Sequence, residues 1–276
     1  MIEFLANIFG YLLNFIYELV KNYGLAIIIF SMALKIVLLP ITIKQQKTMK
    51  KSSALQGEMK KIQDKYSNDP EKMNQEIMDL YKREKMSPFS GCLSSIIQII
   101  LLFAVFYLVR SPLTHMRKID NQVIENYKNE IKAERNVDTA YPEIAIIKEK
   151  GQEDEKVYIN MDFLGLDLCS VPSQNASDFR VYVIPALYVI SSFVSIRITN
   201  NMQTKKKKEN GEDTQMDSMM GMTKGMTWVM PIMSVSIAII APLGLALYWL
   251  VNNILMIVER LIINKVVDEK EEEANV

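Results

Sequence analysis

The sequence predicts an all-α polytopic membrane protein with five transmembrane helices around a hydrophilic groove. Four long apolar stretches interrupt a chain in which 23% of the residues are charged. The last stretch carries a Pro and a Gly near its middle, which divides it into two spans. Only one charged residue, Lys35, lies deep inside a predicted span. The prediction is completed by an N-terminal interfacial amphipathic helix, a cytoplasmic helical hairpin and a small mixed α/β extracellular insertion.

The composition argues against several kinds of site. Lys+Arg and Asp+Glu both number 32, so the net charge is zero and no basic surface for nucleic-acid recognition is expected. One histidine, His115, and two cysteines are too few ligands for a zinc or haem site built on His and Cys. We therefore expect no catalytic residue, no cofactor and no metal, and a protein that is not an enzyme.

Residues 1–22 are predicted to form a helix that lies in the membrane interface. Apolar residues cover most of its surface, as in an interfacial amphipathic helix. A signal peptide is the alternative, but the positive N-terminal region and the small-residue cleavage site of such peptides are missing. The polar residues recur on one helical face and are Glu3, Asn7, Asn14, Glu18 and Lys21.

The apolar stretches give five spans, two in residues 23–110 and three in residues 179–263. The last stretch has 33 residues without a charge, which is too long for one span of about 20 residues and too short for two. Its first half would be about 24 Å long against a hydrocarbon core of roughly 30 Å, so this span would sit shallow or thin the bilayer. The predicted spans are Leu25–Ile43, Phe89–Val109, Val181–Ile198, Met226–Ala241 and Leu243–Val258.

The distribution of basic residues predicts the orientation. Residues 44–87 contain 11 Lys+Arg against 7 Asp+Glu, and residues 110–180 contain 10 against 13. The loop at residues 200–225 carries the basic run Lys205–Lys208. The positive-inside rule then places 44–87 and 200–225 in the cytoplasm, the N-terminus outside and the acidic tail 264–276 inside. The usage of Ile, Lys and Asn favours a bacterial plasma membrane.

Two connections are long enough to fold outside the membrane. Residues 44–87 are predicted to form a helical hairpin, because Asp69 can cap a second helix whose first position is Pro70. Residues 111–178, which we call the insertion, are predicted to contain a helix on the spacing of Met116, Ile119, Val123, Tyr127 and Ile131. Alternating apolar residues predict a strand at 157–163, paired with 144–148.

Lys35 lies about 15 Å along the first predicted span. At this depth a lysine adds at least about 2.5–3.5 kcal/mol to the free energy of membrane insertion. The spans contain no Asp or Glu that could neutralise it, so the sequence predicts that water reaches this depth. Ser31 lies one turn earlier on the same helical face. A lysine bonded to backbone carbonyls or to Gln98 is the structural alternative. Polar residues that would line a hydrated groove with Lys35 are Gln98, Ser191, Ser192, Ser195, Tyr248, Asn252 and Asn253.

Several short motifs follow one another in a fixed order along the chain. They are residues 23–28, Lys35, Leu39, Pro40, residues 81–92, Gln98, Met230, Pro231 and residues 242–253. Together they resemble the YidC/Oxa/Alb family of membrane protein insertases, over about residues 20–110 and 180–260. The family usually has arginine at the position of Lys35, and lysine offers fewer donors. The acidic tail also differs from the basic ribosome-binding tails of some relatives.

The resemblance implies a groove that is open to the cytoplasm and to lipid and closed toward the outside. It implies that Lys35 attracts acidic residues of a substrate's extracellular tail and that Ser31 is a groove hydroxyl. Tyr248 and Trp249 would be the aromatic pair that contacts the substrate, which would leave along the third and fifth spans. Residues 44–87 would recruit substrates.

The expected function is insertion and assisted folding of small membrane proteins. The expected partners are nascent membrane proteins and the lipid bilayer, with the ribosome, the targeting machinery and the Sec translocon as further candidates. A transporter or channel subunit is the alternative, although the intramembrane carboxylates and repeats of transporters are missing from this sequence. A scaffold that only holds inserted helices also remains open.

Overall fold

The computed structural model describes residues 1–87, 90–135, 140–209 and 237–274. Most of the described chain is helical, and its two short strands pair only with each other. In chain order the helices are α1 (Ile2–Val20), α2 (Tyr23–Ala54), α3 (Gln56–Lys65), α4 (Pro70–Arg83), α5 (Ser90–Arg110), α6 (Pro112–His115), α7 (Asn121–Arg135), α8 (Pro142–Lys150), α9 (Val183–Glu209) and α10 (Leu243–Ala274). The strands are β1 (Asp162–Phe163) and β2 (Leu166–Asp167).

Internal packing divides the chain into two units. The first unit consists of Met1–Lys35 and Leu101–Val258, and the second of Ile36–Ile100 and Glu259–Val276. The first unit therefore holds α1, the insertion and most of the residues predicted for the groove.

Helix α1 is buried along one face in the hydrophobic core of the first unit. Its closest approach is at Gly10, where an added Cβ would stand 1.9 Å from the carbonyl oxygen of His115. A small residue is therefore required at this position. The buried residues of α1 are Ala6, Gly10, Leu13, Ile16 and Tyr17, whereas Phe4, Tyr11, Phe15 and Leu19 on another face are between 63% and 70% exposed.

The insertion is a small mixed α/β structure, as predicted. Helix α7 lies in the region where a helix was expected, and Ile131 on α7 is buried in the same core as Ile144 and Ile147 of α8. β1 pairs with β2 in an antiparallel hairpin, with Asp162 opposite Asp167.

The predicted pairing of residues 144–148 with 157–163 is wrong, because 144–148 belong to α8. Pro142 occupies the first position of this helix, and Lys148 and Lys150 lie in its last turn, where basic side chains favour a helix. The alternation downstream is real: Val157, Ile159 and Met161 are all buried. Val157 lies in a turn and residues 158–161 have no regular secondary structure, so only Asp162 and Phe163 at the end of this segment form a strand.

In the second unit, α3 and α4 form the predicted helical hairpin. The side chain of Asp69 accepts a hydrogen bond from the backbone N–H of Lys72 at 3.0 Å, and Pro70 is the first residue of α4. The two helices are joined by an ion pair between Arg83 and Glu58 and by the contact of the Tyr81 hydroxyl with the sulfur of Met59 at 3.5 Å.

Four segments of the described chain are long and apolar enough to cross a membrane: Ile2–Val20, Tyr23–Thr48, Phe179–Ile198 and Leu243–Ile262. Large apolar side chains on them are exposed, such as Ile36 at 71% and Phe193 at 53%. Helix α5 covers the second predicted span, and residues 226–236 of the fourth lie outside the described residues. The multi-pass helical architecture agrees with the predicted fold class.

Two helices continue beyond their predicted spans. Helix α9 runs to Glu209, so residues 200–209 are helical where a loop was expected, and α10 runs through the acidic tail to Ala274. The extension of α9 contains Lys, Glu and Gln, and that of α10 contains Lys, Glu and Ala. Neither extension contains Gly or Pro, so the composition favours continued helix.

Candidate functional site

Polar side chains join α9 to α10 inside the first unit. Asn253 donates from Nδ2 to Oγ of Ser191 at 2.9 Å and to Oγ of Ser192 at 3.1 Å. Ser191 in turn donates to the carbonyl oxygen of Tyr188 at 2.8 Å. Ser192 and Asn253 are both 8% exposed and Ser191 is half-buried, so one amide group bonds two hydroxyls of α9, one of them with little access to solvent.

An aromatic contact lies one turn away from this polar group. The rings of Tyr188 on α9 and Trp249 on α10 have centroids 6.2 Å apart and planes inclined by 40°. Tyr188 and Ser191 are three residues apart, and Trp249 and Asn253 are four apart, so each pair shares one face of its helix. The α9–α10 contact therefore combines an aromatic pair with a polar group.

Ser31 and Lys35 lie on the same face of α2, as predicted. Ser31 is 3% exposed and donates from Oγ to the carbonyl oxygen of Ile27 at 2.7 Å. Lys35 is half-buried and interacts with a neighbouring group. Ser31 thus satisfies its donor within its own helix, while its lone pairs can still accept a hydrogen bond.

The other predicted groove residues differ in accessibility. Ser195 and Tyr248 are buried, at 8% and 5% exposure, whereas Trp249 and Asn252 are half-buried. Gln98 lies on α5 in the second unit, and its side chain is outside the described part of the chain. Of these residues, Ser192 and Trp249 take part in the α9–α10 contact, and the amide that bridges it is Asn253 rather than Asn252.

A set of polar contacts between α1 and the insertion was not predicted from the sequence. Nδ1 of His115 lies 3.1 Å from Oδ1 of Asn7, and Lys118 donates to the same oxygen at 2.6 Å. Near the other end of α1, Arg117 pairs with Glu18 at 2.6 Å. The sequence separations exceed 95 residues, and polar residues on one face of α1 were the only local signal of such partners.

A second attachment joins the end of α1 to the segment just before the β1–β2 hairpin. The hydroxyl of Tyr17 accepts the backbone N–H of Asn160 at 2.8 Å, and Asn160 donates from Nδ2 to the carbonyl oxygen of Lys21 at 3.0 Å. The contacts of α1 with the insertion thus extend from Asn7 to Lys21, which is about 21 Å of helix.

One carboxylate is buried inside the insertion. Glu143 accepts the backbone N–H of Thr114 at 3.0 Å and the hydroxyl of Thr114 at 2.7 Å, which ties α8 to α6. Burial raises the pKa of this carboxyl above its usual value, and the hydrogen bonds from Thr114 act against the rise. These contacts hold the fold of the insertion. Across the described ranges of the chain, no three His, Cys, Asp or Glu side chains are placed to hold a metal ion.

Comparison with known proteins gives a consistent assignment. A family model described as 60Kd inner membrane protein matches residues 15–271. A membrane protein insertase YidC of Fusobacterium nucleatum is 29% identical over 261 residues, which are 95% of each chain. Another, of Caldanaerobacter subterraneus, is 28% identical over 94% of this chain and 93% of its own length. One of Chlorobaculum parvum is 31% identical over 95% of this chain but only 36% of its own length, so this chain spans about a third of some relatives.

Proposed function

We propose that this chain, which belongs to the 60Kd inner membrane protein family, is a membrane protein insertase. The observation that carries the proposal is the match of nearly the whole chain to relatives named membrane protein insertase YidC, two of which are also matched over nearly their whole length. The apolar helices of the chain agree with a protein that acts within the bilayer. The proposed activity lowers the free-energy barrier for moving a short polar tail across the membrane and breaks no covalent bond.

The proposed substrate site is a hydrated, positively charged groove that includes Lys35 and Ser31. The positive charge of Lys35 attracts an acidic tail, and the low-dielectric protein and lipid that surround a hydrated groove focus this attraction along it. The groove opens toward the cytoplasm, where nascent membrane proteins arrive. The ribosome, the targeting machinery and the Sec translocon are the further partners we propose.

The proposed exit path for an apolar segment follows α9 and α10. Ser192, Ser195 and Asn252 supply polar groups along these helices, and Tyr248 and Trp249 supply the aromatic contact. Trp249 is half-buried and Tyr248 is 5% exposed, so a segment that approaches α10 meets Trp249 first.

We propose that α1 lies in the outer membrane interface, with the insertion outside and the C-terminus in the cytoplasm. Two contacts support this placement: His115 with Asn7 near the start of α1, and Asn160 with the carbonyl oxygen of Lys21 directly after its end. A helix that crossed the bilayer could not follow one extramembrane structure over about 21 Å of its length. The exposed apolar face of α1 would then rest on lipid.

The proposal is tested by reconstitution of the purified chain into liposomes with no other protein. A single-span substrate with an aspartate-containing tail is added, and protease protection measures how much tail crosses. We expect Lys35→Ala to lower insertion of this substrate about ten-fold and Lys35→Arg to retain it. Lys128→Ala, on the surface of α7, is the matched control and should insert at the wild-type rate.

Substrate variants separate the two parts of the proposal. If Lys35 attracts the tail, a substrate with Asn in place of Asp should insert more slowly in the wild type and be insensitive to Lys35→Ala. Equal insertion of the aspartate tail by wild type and Lys35→Ala would refute the electrostatic role of Lys35. Failure of the wild-type chain to exceed empty liposomes would refute the insertase function itself.

A further inference from the structure

The tip of the β1–β2 hairpin combines two unfavourable features. Leu164 and Gly165 form its two-residue turn with φ values of +53° and +76°, as the type I′ hairpin turn requires. Leucine rarely adopts this backbone conformation, which Gly, Asn and Asp tolerate better. Leu164 is also 87% exposed, the highest value among the large apolar side chains whose burial the structure describes. The Asp162 carboxylate supports the turn by accepting the N–H of Gly165. Packing within the described part of the chain leaves the Leu164 side chain almost uncovered, which points to a partner outside it.

The hairpin is fixed at the start of α2. The side chain of Asn22 donates to the carbonyl oxygen of Asp162 at 2.6 Å, and the N–H of Tyr23 donates to the carbonyl oxygen of Asn160 at 3.0 Å. The ring of Phe163 lies so close to Gly24 that an added Cβ would stand 2.4 Å from it. Leu164 follows Phe163 directly, so the tip stands beside the first turn of α2.

The first turn of α2 is also where the chain becomes apolar enough to enter a membrane. The candidate span begins at Tyr23, and Leu25 on its first turn is 44% exposed. On the other side of the junction, Leu19 of α1 is 70% exposed. The tip therefore lies beside apolar side chains that a bilayer would surround.

The hairpin carries two carboxylates, one paired at its base and one that reaches the turn. Asp167 pairs with Lys148 at 3.4 Å, and Asp162 accepts the N–H of Gly165 at 3.2 Å. The four residues from Phe163 to Leu166 are uncharged. The exposed Leu164 side chain is the apolar part of the tip, and an apolar side chain close to a carboxylate suits the boundary between lipid headgroups and acyl chains.

We infer that the hairpin tip, residues 163–166, is a lipid anchor in which Leu164 enters the leaflet around the N-terminal end of α2. Contact with acyl chains removes the apolar side chain from water, and this stabilises the unfavourable turn. The anchor fixes the hairpin, and through Asn160 also α1, at a constant depth in the membrane. Membrane anchoring by the hairpin tip does not depend on whether the chain is an insertase.

The first test measures the environment of position 164 in the full chain. Leu164→Cys is made in a Cys92→Ser/Cys169→Ala background, labelled with an environment-sensitive fluorophore and reconstituted in phosphatidylcholine–phosphatidylglycerol vesicles. Lys156→Cys is the matched control, because it is exposed in the same insertion. We expect lipids with brominated acyl chains to quench the label at 164 at least three-fold more than at 156. Iodide in the buffer should quench it at least three-fold less.

Two outcomes would overturn the inference. Equal quenching of both positions by iodide would leave the tip in water. Protection of position 164 from iodide without bromine quenching, seen only at high protein-to-lipid ratios, would assign the tip to a contact with a second copy.

A second measurement uses chains without a label. Leu164→Asn relieves the unfavourable backbone conformation but loses the apolar contact. Leu164→Met keeps the apolar side chain and the unfavourable backbone conformation. With the chain in vesicles, we expect hydrogen exchange at residues 165–168 to become several-fold faster in Leu164→Asn and to stay unchanged in Leu164→Met. Slower exchange in Leu164→Asn would show that only the turn conformation matters there, which contradicts a lipid anchor.

Discussion

At the scale of single residues, Asn253 joins α10 to α9 through two hydrogen bonds. Asn253→Ala removes the amide that serves Ser191 and Ser192. Hydrogen bonds between membrane helices average about 0.6 kcal/mol and reach about 1.7 kcal/mol. We therefore expect a loss of about 1–2 kcal/mol in the free energy of unfolding in detergent. Asn252→Ala, at the half-buried neighbouring position, is the control, and an equal loss there would contradict the assignment.

Glu143 gives the insertion a pH-dependent stability of defined sign. Because burial raises the pKa of its carboxyl in the folded state, its contribution to stability is fully present below the usual glutamate pKa. That contribution is lost as the pH rises through the raised value. A protonated Glu143 can donate to the Thr114 hydroxyl, and so can the amide of Glu143→Gln.

We expect the difference in stability between wild type and Glu143→Gln to shift in favour of the variant as the pH rises. Thermal unfolding in detergent at a series of pH values measures this difference. The pKa values of Asp154 and Asp178 are lowered by hydrogen bonds to neighbouring groups, so these carboxyls act in the opposite direction. Both proteins retain them, so their effects cancel in the comparison. A difference that stays constant with pH would contradict the role of Glu143.

At the scale of elements, the attachment of α1 depends on the absence of a side chain at Gly10. Gly10→Ala places a Cβ against the carbonyl oxygen of His115, and this neighbour is backbone that cannot rotate away. We expect α1 to separate from α6, which hydrogen exchange would detect as faster exchange at residues 113–118. Glu3→Ala, on the exposed side of the same helix, should leave exchange at residues 113–118 unchanged.

Elements defined by local signals could be predicted from the sequence, whereas their partners could not. Asp69 and Pro70 lie within four residues of the N–H that the cap satisfies, so the start of α4 was predicted correctly. The alternation at 157–161 reports burial alone, and the pairing of strands depends on segments elsewhere, so the partner was assigned wrongly. Hydropathy identified Ser192 and Asn253 as polar groups in spans. Adjacent helical positions differ by about 100° in direction, however, so only the structure shows that Asn253 bridges the helices.

At the scale of the whole molecule, the proposed topology puts the insertion and the α3–α4 hairpin on opposite sides of the membrane. A membrane-impermeant maleimide should label Lys156→Cys in intact cells and Lys82→Cys only after permeabilisation, both in a background without native cysteines. Both side chains are exposed, so access depends on topology rather than on burial. Labelling of both positions in intact cells would contradict the proposed orientation.

The contacts of α1 also constrain how the protein itself is made. This helix is synthesised before its partners, because His115 follows Asn7 by 108 residues and Asn160 follows Tyr17 by 143 residues. Until those residues have been synthesised and moved to the same side of the membrane as α1, its buried face lacks the surface it packs against. Closing loops of this length is entropically costly and slow. Docking of α1 is therefore a late step in biogenesis, and a chain stalled before residue 160 would leave the first helix on the membrane without its final partner.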